Sequence, residues 1–277
     1  MKSSNPVFAR SAEFNGKGTQ TQGDPSQWQI DLNGEGPPTS TGDRRMTLDS
    51  VVEKTGISLA LLVIAAAVSW FAIGDLGDPT TGDAAYGKAF MFAMGGAIIG
   101  LVLSLVNSFK KVISPPLVLA FAVVEGVFVG AFSKVITIYV GGDVSIVYQA
   151  ILGTVGAFAG TLAVYKFFNI KVTDKFRRGV TAAVFGFVGL ALLNFALSFF
   201  GLDFGFRNMG MMGLIVGIAA VVLGVLMLIL DFDYVERGVA AGLPERESWR
   251  AAFGLTVTLV WLYIEILRIL AILRGSD

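Results

Sequence analysis

The stretch Met211–Leu230 has the sequence MMGLIVGIAAVVLGVLMLIL and contains no charged side chain. A helix that crosses the hydrocarbon core of a bilayer needs about 20 predominantly apolar residues, and this stretch supplies them. A soluble helix of the same length would carry a polar stripe at helical period, which this stretch lacks. The sequence therefore predicts a transmembrane helix here.

Six further stretches have the same character, and together the seven occupy most of the chain after residue 50. They are Val51–Ile73, Ala89–Phe109, Leu117–Tyr139, Ile146–Phe168, Val180–Leu202 and Ala251–Leu273. Charged residues make up 15% of the 277, whereas an ordinary soluble domain has about 25%. We predict an all-α membrane protein with seven transmembrane helices within residues 47–277.

Residues 1–46 differ in composition from everything that follows. They are rich in Ser, Thr, Gly, Asn, Gln and Pro and have almost no apolar clusters, as is typical of disordered segments. A secretory signal would need an apolar run directly after a basic start. We therefore predict a disordered cytoplasmic tail at 1–46 and an uncleaved first helix.

The composition also argues against several functions. Zinc and copper centres usually use Cys or His, and the chain has neither. The formal net charge of zero gives no indication of a nucleic-acid partner. No phosphate-binding loop, nucleophile–base set or metalloprotease motif occurs. We expect a protein without enzymatic activity or cofactor, whose chief partner is the lipid bilayer.

Lys and Arg concentrate on alternate connections between the predicted helices. They lie before or near the start of the first helix and around the second, fourth and sixth connections: Arg44, Arg45, Lys54, Lys110, Lys111, Lys166, Lys171, Lys175, Arg177, Arg178, Arg237, Arg246 and Arg250. Lys88 and Arg207 are isolated exceptions. The positive-inside rule then predicts a cytoplasmic N-terminus and an external C-terminus. We expect a multi-pass protein of the plasma membrane.

Ionisable residues at membrane depth are costly and usually functional. Asp231 and Asp233 close the sixth predicted span, either as solvated interfacial acids or, if the helix continues, inside the bundle. A carboxylate at a helix C-terminus opposes the helix dipole, which favours a role for Asp231. Asp233 has the simpler alternative of pairing with Arg237. Glu125 is a lone acid about 12 Å inside the third span, by the 1.5 Å helical rise, and is expected to be protonated or paired.

The last predicted helix carries a third constellation. Glu265 and Arg268 are three residues apart and therefore lie side by side. A structural ion pair and an outer latch for a pore are both compatible with this spacing. Thr258 lies two turns before Glu265 on the same helix face, as a neutral polar group at mid-depth.

Small residues recur at close spacing in several spans, and we interpret them as sites of tight intramolecular helix packing, with dimerisation as the alternative. They are Gly95, Gly96, Gly100, Gly153, Gly156, Gly160, Gly186, Gly189, Gly213, Gly217 and Gly224.

Three sequence elements resemble the Bax inhibitor family, the transmembrane Bax inhibitor motif proteins. They are Ile229–Asp233 with the sequence ILDFD, Leu262–Tyr263 followed by Ile266–Leu270, and Ser114–Pro115 with Glu125–Gly126 beyond. The resemblance implies a seven-helix fold in which two three-helix layers surround the C-terminal helix. It also implies a pH-sensitive calcium leak through the membrane of a bacterial cell.

The same resemblance implies a gate made by two carboxylates, one on the sixth helix and one on the seventh. Asp231 corresponds to the first. Anchoring the last helix on Ile266–Leu270 places Thr258 at the second position, whereas anchoring on Leu262–Tyr263 places Glu265 there. We prefer Thr258, which leaves the second acid missing. Glu125 lies at a similar depth, and we hypothesise that it replaces that acid, so that Asp231 and Glu125 together bind calcium.

The predicted function is a cation leak gated by buried carboxylates, with calcium or protons as the transported ions. The main alternative is a non-conducting regulator that binds a membrane protease or another protein. A proton-coupled solute transporter is a third reading, but the sequence shows no inverted repeat to favour it.

Overall fold

The computed structural model describes residues 44–168, 170–198, 200–201 and 209–275. Its helices in chain order are α1 (Leu48–Ile73), α2 (Gly82–Phe109), α3 (Pro115–Tyr139), α4 (Ser145–Phe167), α5 (Asp174–Ser198), α6 (Met211–Ala240) and α7 (Glu247–Gly275). Each is long and apolar enough to cross a membrane. The predicted seven-helix membrane fold is therefore confirmed.

Several helices extend beyond the apolar stretches that predicted them. α2 begins at Gly82 rather than Ala89, and α6 continues to Ala240 rather than ending at Leu230. Polar residues at the membrane boundary do not stop a helix, because the backbone hydrogen bonds can continue into the aqueous layer. Residues 1–43 of the tail predicted at 1–46, the predicted end of the fifth helix at Leu202, and Arg207 lie outside the described residues.

The last helix lies at the centre of the helix packing. α7 contacts α1, α3, α4 and α6, and 67% of its most apolar stretch is buried, against 6% for α5. The first three helices contact one another, and α6 contacts α4 and α5. These pairings establish a central α7, while the arrangement as two three-helix layers stays a prediction.

The closest approach between helices joins α1 and α3 at two glycines one turn apart. A Cβ atom added at Gly126 would lie 2.3 Å from the carbonyl oxygen of Leu62, and one added at Gly130 would lie 2.2 Å from that of Ala66. Neither position can hold a side chain without moving a backbone. In lipid no hydrophobic force drives helices together, so this close backbone contact supplies the packing attraction.

The glycines singled out in the sequence have mixed environments. An added Cβ would clash with α3 at Gly96 and Gly100, and with α7 at Gly217 and Gly224, in each case at less than 3.0 Å. Gly153 has a looser contact with Ile266 of α7, at 3.1 Å. An added Cβ would have no neighbouring atom within 4 Å at five further glycines: Gly95, Gly156, Gly160, Gly186 and Gly189. Tight intramolecular packing is thus confirmed for some glycines and wrong for others.

The segment before α1 is attached to the connection between α6 and α7. Met46 N donates to the Leu243 carbonyl at 2.7 Å, and Glu245 N donates to the Arg44 carbonyl at 2.7 Å. At the same end of the bundle, the Arg250 guanidinium donates to the Lys110 and Lys111 carbonyls between α2 and α3. We call this the basic end, where α1 starts and the α2–α3, α4–α5 and α6–α7 connections lie.

We expect Gly130→Ala to destabilise the protein, because the added methyl group must push α3 away from α1. Overpacking of this kind costs about 1–3 kcal/mol. The measurement is the apparent melting temperature of the detergent-solubilised protein. Gly95→Ala is the matched control, since it adds the same methyl group to a helix interior where nothing lies within 4 Å. Equal melting temperatures for the two variants would contradict the packing assignment.

Candidate functional site

Asp231 lies at the contact between α6 and α7. Thr258 Oγ1 donates a hydrogen bond of 2.6 Å to its Oδ2. A Cβ atom added at Gly254, one helical turn before Thr258, would lie 3.5 Å from its Oδ1. The carboxylate therefore lies against one face of α7. Gly254 leaves room for it there, and the Thr258 hydroxyl donates a hydrogen bond to it.

The position of Asp231 follows from the length of α6. Because the helix continues through Glu236 and Arg237 to Ala240, Asp231 is an interior helical residue and not a C-terminal cap. Its side chain is consequently fixed between two helices instead of extending into solvent. The condition under which the sequence predicted an inward-facing Asp231 is met.

A small cavity of about 30 Å³ lies next to this contact, between α5, α6 and α7. Its walls are almost entirely apolar apart from Thr258, and its lining residues are Val184, Leu223, Gly224, Met227, Val257, Thr258 and Trp261. The volume equals that of about one or two water molecules, but its apolar walls offer water almost no hydrogen-bond partner, and it is too small for a hydrated ion.

Asp233 has a different environment, although it is only two residues away. Its Oδ2 accepts from Arg177 Nη2 of α5 at 2.7 Å, and its Oδ1 accepts from Arg237 Nε at 2.9 Å. Arg237 also donates to the Val172 carbonyl at 2.8 Å. The expected Asp233–Arg237 pair is present, and Arg177 is an additional partner. This cluster joins the α4–α5 connection to α6, and we call it the Asp233 cluster.

Glu125 lies against α2 and has no described bond to α6 or α7. Its Oε2 lies 2.6 Å from where a Cβ of Gly100 would be, and the structure gives it no hydrogen bond or ion pair to any described residue. Asp231, by contrast, bonds to α7. The structure therefore does not bring Glu125 and Asp231 together through any contact that it describes.

Glu265 and Arg268 form the expected ion pair inside the bundle. Arg268 Nη2 lies 2.6 Å from Glu265 Oε2, and both side chains are buried. Arg268 Nη2 is also 3.3 Å from the position of a Cβ at Gly217 of α6. The pair thus lies where α7 meets α6, about two to three turns beyond Thr258 and without described contact to Asp231.

The described residues contain no group of three Asp, Glu, His or Cys side chains that could hold a metal ion. Asp231 and Glu125, the pair proposed from the sequence as calcium ligands, lie on different helix interfaces. Calcium normally takes six to eight oxygen ligands. Asp231 with Thr258 supplies two side chains, fewer ligands than a stable calcium site needs.

Sequence reasoning missed several contacts at the basic end. Met46 was included in the disordered tail, yet its side chain is 1% exposed and packs against Gly238. Lys54 forms a 2.8 Å ion pair with Glu245 and holds the pKa of that carboxyl below its ordinary value. Ser50 and Ser248 share a buried 2.6 Å hydrogen bond. One available signal was that Met46 is a lone apolar residue directly before a Thr-x-x-Ser helix start.

We expect Asp233→Asn to loosen the α4–α5 connection, because two guanidinium groups would lose their carboxylate. Removing one partner of a half-buried charge cluster costs roughly 1–3 kcal/mol. Hydrogen exchange at the start of α5 should be faster in this variant by on the order of tenfold. Asp83→Asn is the control, since it makes the same change at an exposed position on α2, a helix without contact to α5 or α6 among the described residues. Unchanged exchange in Asp233→Asn would show that the cluster does not anchor α5.

Comparison with known proteins is consistent with this architecture. A search of curated proteins finds no match to the chain. A scan against protein-family models matches the model described as Bax inhibitor 1 like. That match spans residues 5–275, which is nearly the whole sequence, and this seven-helix membrane protein therefore belongs to the Bax inhibitor 1 like family.

Proposed function

We propose that this protein is a pH-sensitive cation leak of the Bax inhibitor type, with calcium as the transported ion and Asp231 as the gating carboxylate. The observation that carries the proposal is the Asp231–Thr258 contact, in which an acid within a membrane-spanning helix has a hydroxyl and no cation as its described partner. Placing an ionisable side chain at membrane depth costs free energy, and residues of this kind usually have a function.

The chemistry of this contact suits a gate that responds to protons. An ionised carboxylate attracts a cation, whereas the protonated group is neutral and can donate a hydrogen bond itself. Asp233 cannot act in the same way, because two guanidinium groups already neutralise it. The small cavity beside Thr258 corresponds to a closed state, and separation of α6 from α7 would open it.

In the register that we prefer, Thr258 takes the position where the family resemblance implies a second acid, and this changes the expected gate. Two acids a few Å apart share a proton, whereas an acid and a hydroxyl do not. We propose that Asp231 alone responds to pH in this protein. Glu125 keeps a separate role at the α2–α3 contact, since its described surroundings are there.

We further propose that the basic end faces the cytoplasm of a bacterial cell and that the protein lies in the plasma membrane. The support is the concentration of Lys and Arg on the connections of this end. Seven crossings then put the end of α7 outside. Cysteine accessibility would test this readily, because the natural chain has no Cys.

We expect Asp231→Asn to lower calcium flux into proteoliposomes and to remove its dependence on pH. The amide is neutral at every pH and loses the attraction for a cation. Two unit charges about 4 Å apart attract each other by about 1 kcal/mol in bulk water, which is the lower limit for this site. Loss of that attraction lowers the occupancy of the site by a cation roughly fivefold. Flux is measured with an entrapped calcium dye across a pH series.

Glu53→Gln is the matched control for this measurement, because it removes one acid from an exposed position on α1. Its flux and pH profile should equal those of the parent protein. If Asp231→Asn conducts as the parent does at every pH, Asp231 has no part in the path.

Thr258→Asp provides a converse test. It places a second carboxyl group at the position of the Thr258 hydroxyl, whose Oγ1 lies 2.6 Å from Asp231 Oδ2. The two acids must then share a proton. We expect a pH response whose midpoint lies at higher pH than that of the parent, because two adjacent negative charges repel and the pair retains one proton to higher pH. Thr258→Asn, similar in size but without charge, should not shift the midpoint. An unshifted midpoint in Thr258→Asp would separate Thr258 from the pH response.

The second candidate function is a non-conducting regulator that binds a membrane protease or another protein. One observation favours it: the described residues contain no group of three His, Cys, Asp or Glu side chains that could hold a metal ion. The preferred register, which puts Thr258 in place of the second acid, points the same way. This alternative predicts no flux from the purified protein at any pH. Flux that depends on Asp231 would exclude it as the whole function.

A further inference from the structure

The α4–α5 connection, taken here with the adjoining turns of both helices (residues 166–178), carries four exposed cations. Lys166, Lys171, Lys175 and Arg178 are exposed, and the structure gives none of them a hydrogen bond or ion pair with a described residue. The acid nearest in sequence, Asp174, offsets one of the four charges. The connection therefore presents a surplus of positive charge at the boundary of the membrane.

Some cations at the basic end have internal partners. Lys54 pairs with Glu245, and Arg250 pairs with Glu247. Arg177, within the same connection, is held by Asp233. The four cations have no such partner among the described residues, and they form a larger exposed group than the two lysines between α2 and α3.

Two aromatic side chains stand directly beside these cations. Phe167 is the last residue of α4 and Phe168 follows it, and they are 80% and 78% exposed. Exposed phenyl rings next to lysines at the end of a spanning helix suit the boundary between acyl chains and headgroups, where rings enter the apolar layer and ammonium groups extend outward.

We propose that Lys166, Lys171, Lys175 and Arg178, together with Phe167 and Phe168, form a binding surface for anionic phospholipid headgroups. The phosphate of such a lipid would contact the ammonium and guanidinium groups, while its acyl chains contact the phenyl rings. Clusters of four or more cations directly beside a spanning helix favour anionic lipids, at about 1 kcal/mol for each cation. This surface does not depend on ion conduction.

This binding surface is also connected to the start of α5 through the Asp233 cluster. The connection that carries the cations supplies Val172 and Arg177 to the Asp233 cluster. A headgroup bound here stabilises the start of α5, which otherwise contacts the rest of the described structure chiefly through α6.

The test measures lipid preference in the full-length protein. The purified chain is equilibrated in mixed micelles that contain phosphatidylglycerol and phosphatidylcholine in equal amounts, and the retained lipids are counted by native mass spectrometry. The parent should retain phosphatidylglycerol preferentially. The double variant Lys171→Gln/Lys175→Gln should lose this preference by on the order of tenfold.

Lys110→Gln/Lys111→Gln is the matched control, since it removes two exposed lysines from the α2–α3 connection at the same end. It should reduce the preference less than about twofold. Raising salt from about 0.1 M to about 1 M shortens the Debye length from about 10 Å to about 3 Å and should abolish the parent's preference. Equal losses in both double variants, or a parent without preference, would overturn the proposal.

Discussion

The backbone contact between α1 and α3 is the constraint on which the rest of the helix packing depends. At Gly126 and Gly130 the two helices approach so closely that no side chain fits between them. Lipid chains solvate apolar side chains as well as a protein interior does, so only such close contacts and polar bonds favour one helix arrangement over another. With α1 and α3 joined, they form part of the surface against which α7 packs, together with α4 and α6.

The polar residues inside this bundle fall into groups with different partners. Glu265 with Arg268 and Asp233 with its two arginines are charge pairs that neutralise each other. Asp231 and Glu125 have no such neutralisation among the described residues. The distinction has a functional meaning, because a neutralised acid stabilises the fold, whereas an acid facing a hydroxyl or a glycine can change its charge. Of these two acids, Asp231 lies between α6 and α7. The connection between these helices is bonded to the segment before α1.

The basic end combines structural and surface charges. Its internal bonds attach the segment before α1 to the α6–α7 connection and attach the α4–α5 connection to α6. The helices that carry Asp231 and Thr258 are therefore linked at this end to the segment before α1 and to the α4–α5 connection.

The sequence alone determined the number of spans, their approximate positions, the alternation of basic connections and the family resemblance. It also identified Asp231, Glu125, Thr258 and the Glu265–Arg268 pair as the polar groups to consider. These features depend on composition and local spacing, which the bilayer makes informative because every span must be apolar and about 20 residues long.

Only the tertiary structure decided which of these groups meet. It joined Asp231 to Thr258, gave Arg177 to Asp233, turned Glu125 towards α2, and identified Gly126 and Gly130 as the tightest contacts while leaving Gly95 and Gly156 open. The physical reason is that lipid-facing and protein-facing side chains are equally apolar in a membrane helix. Hydropathy therefore does not mark the buried face, and the partners of each polar group follow only from how the helices pack.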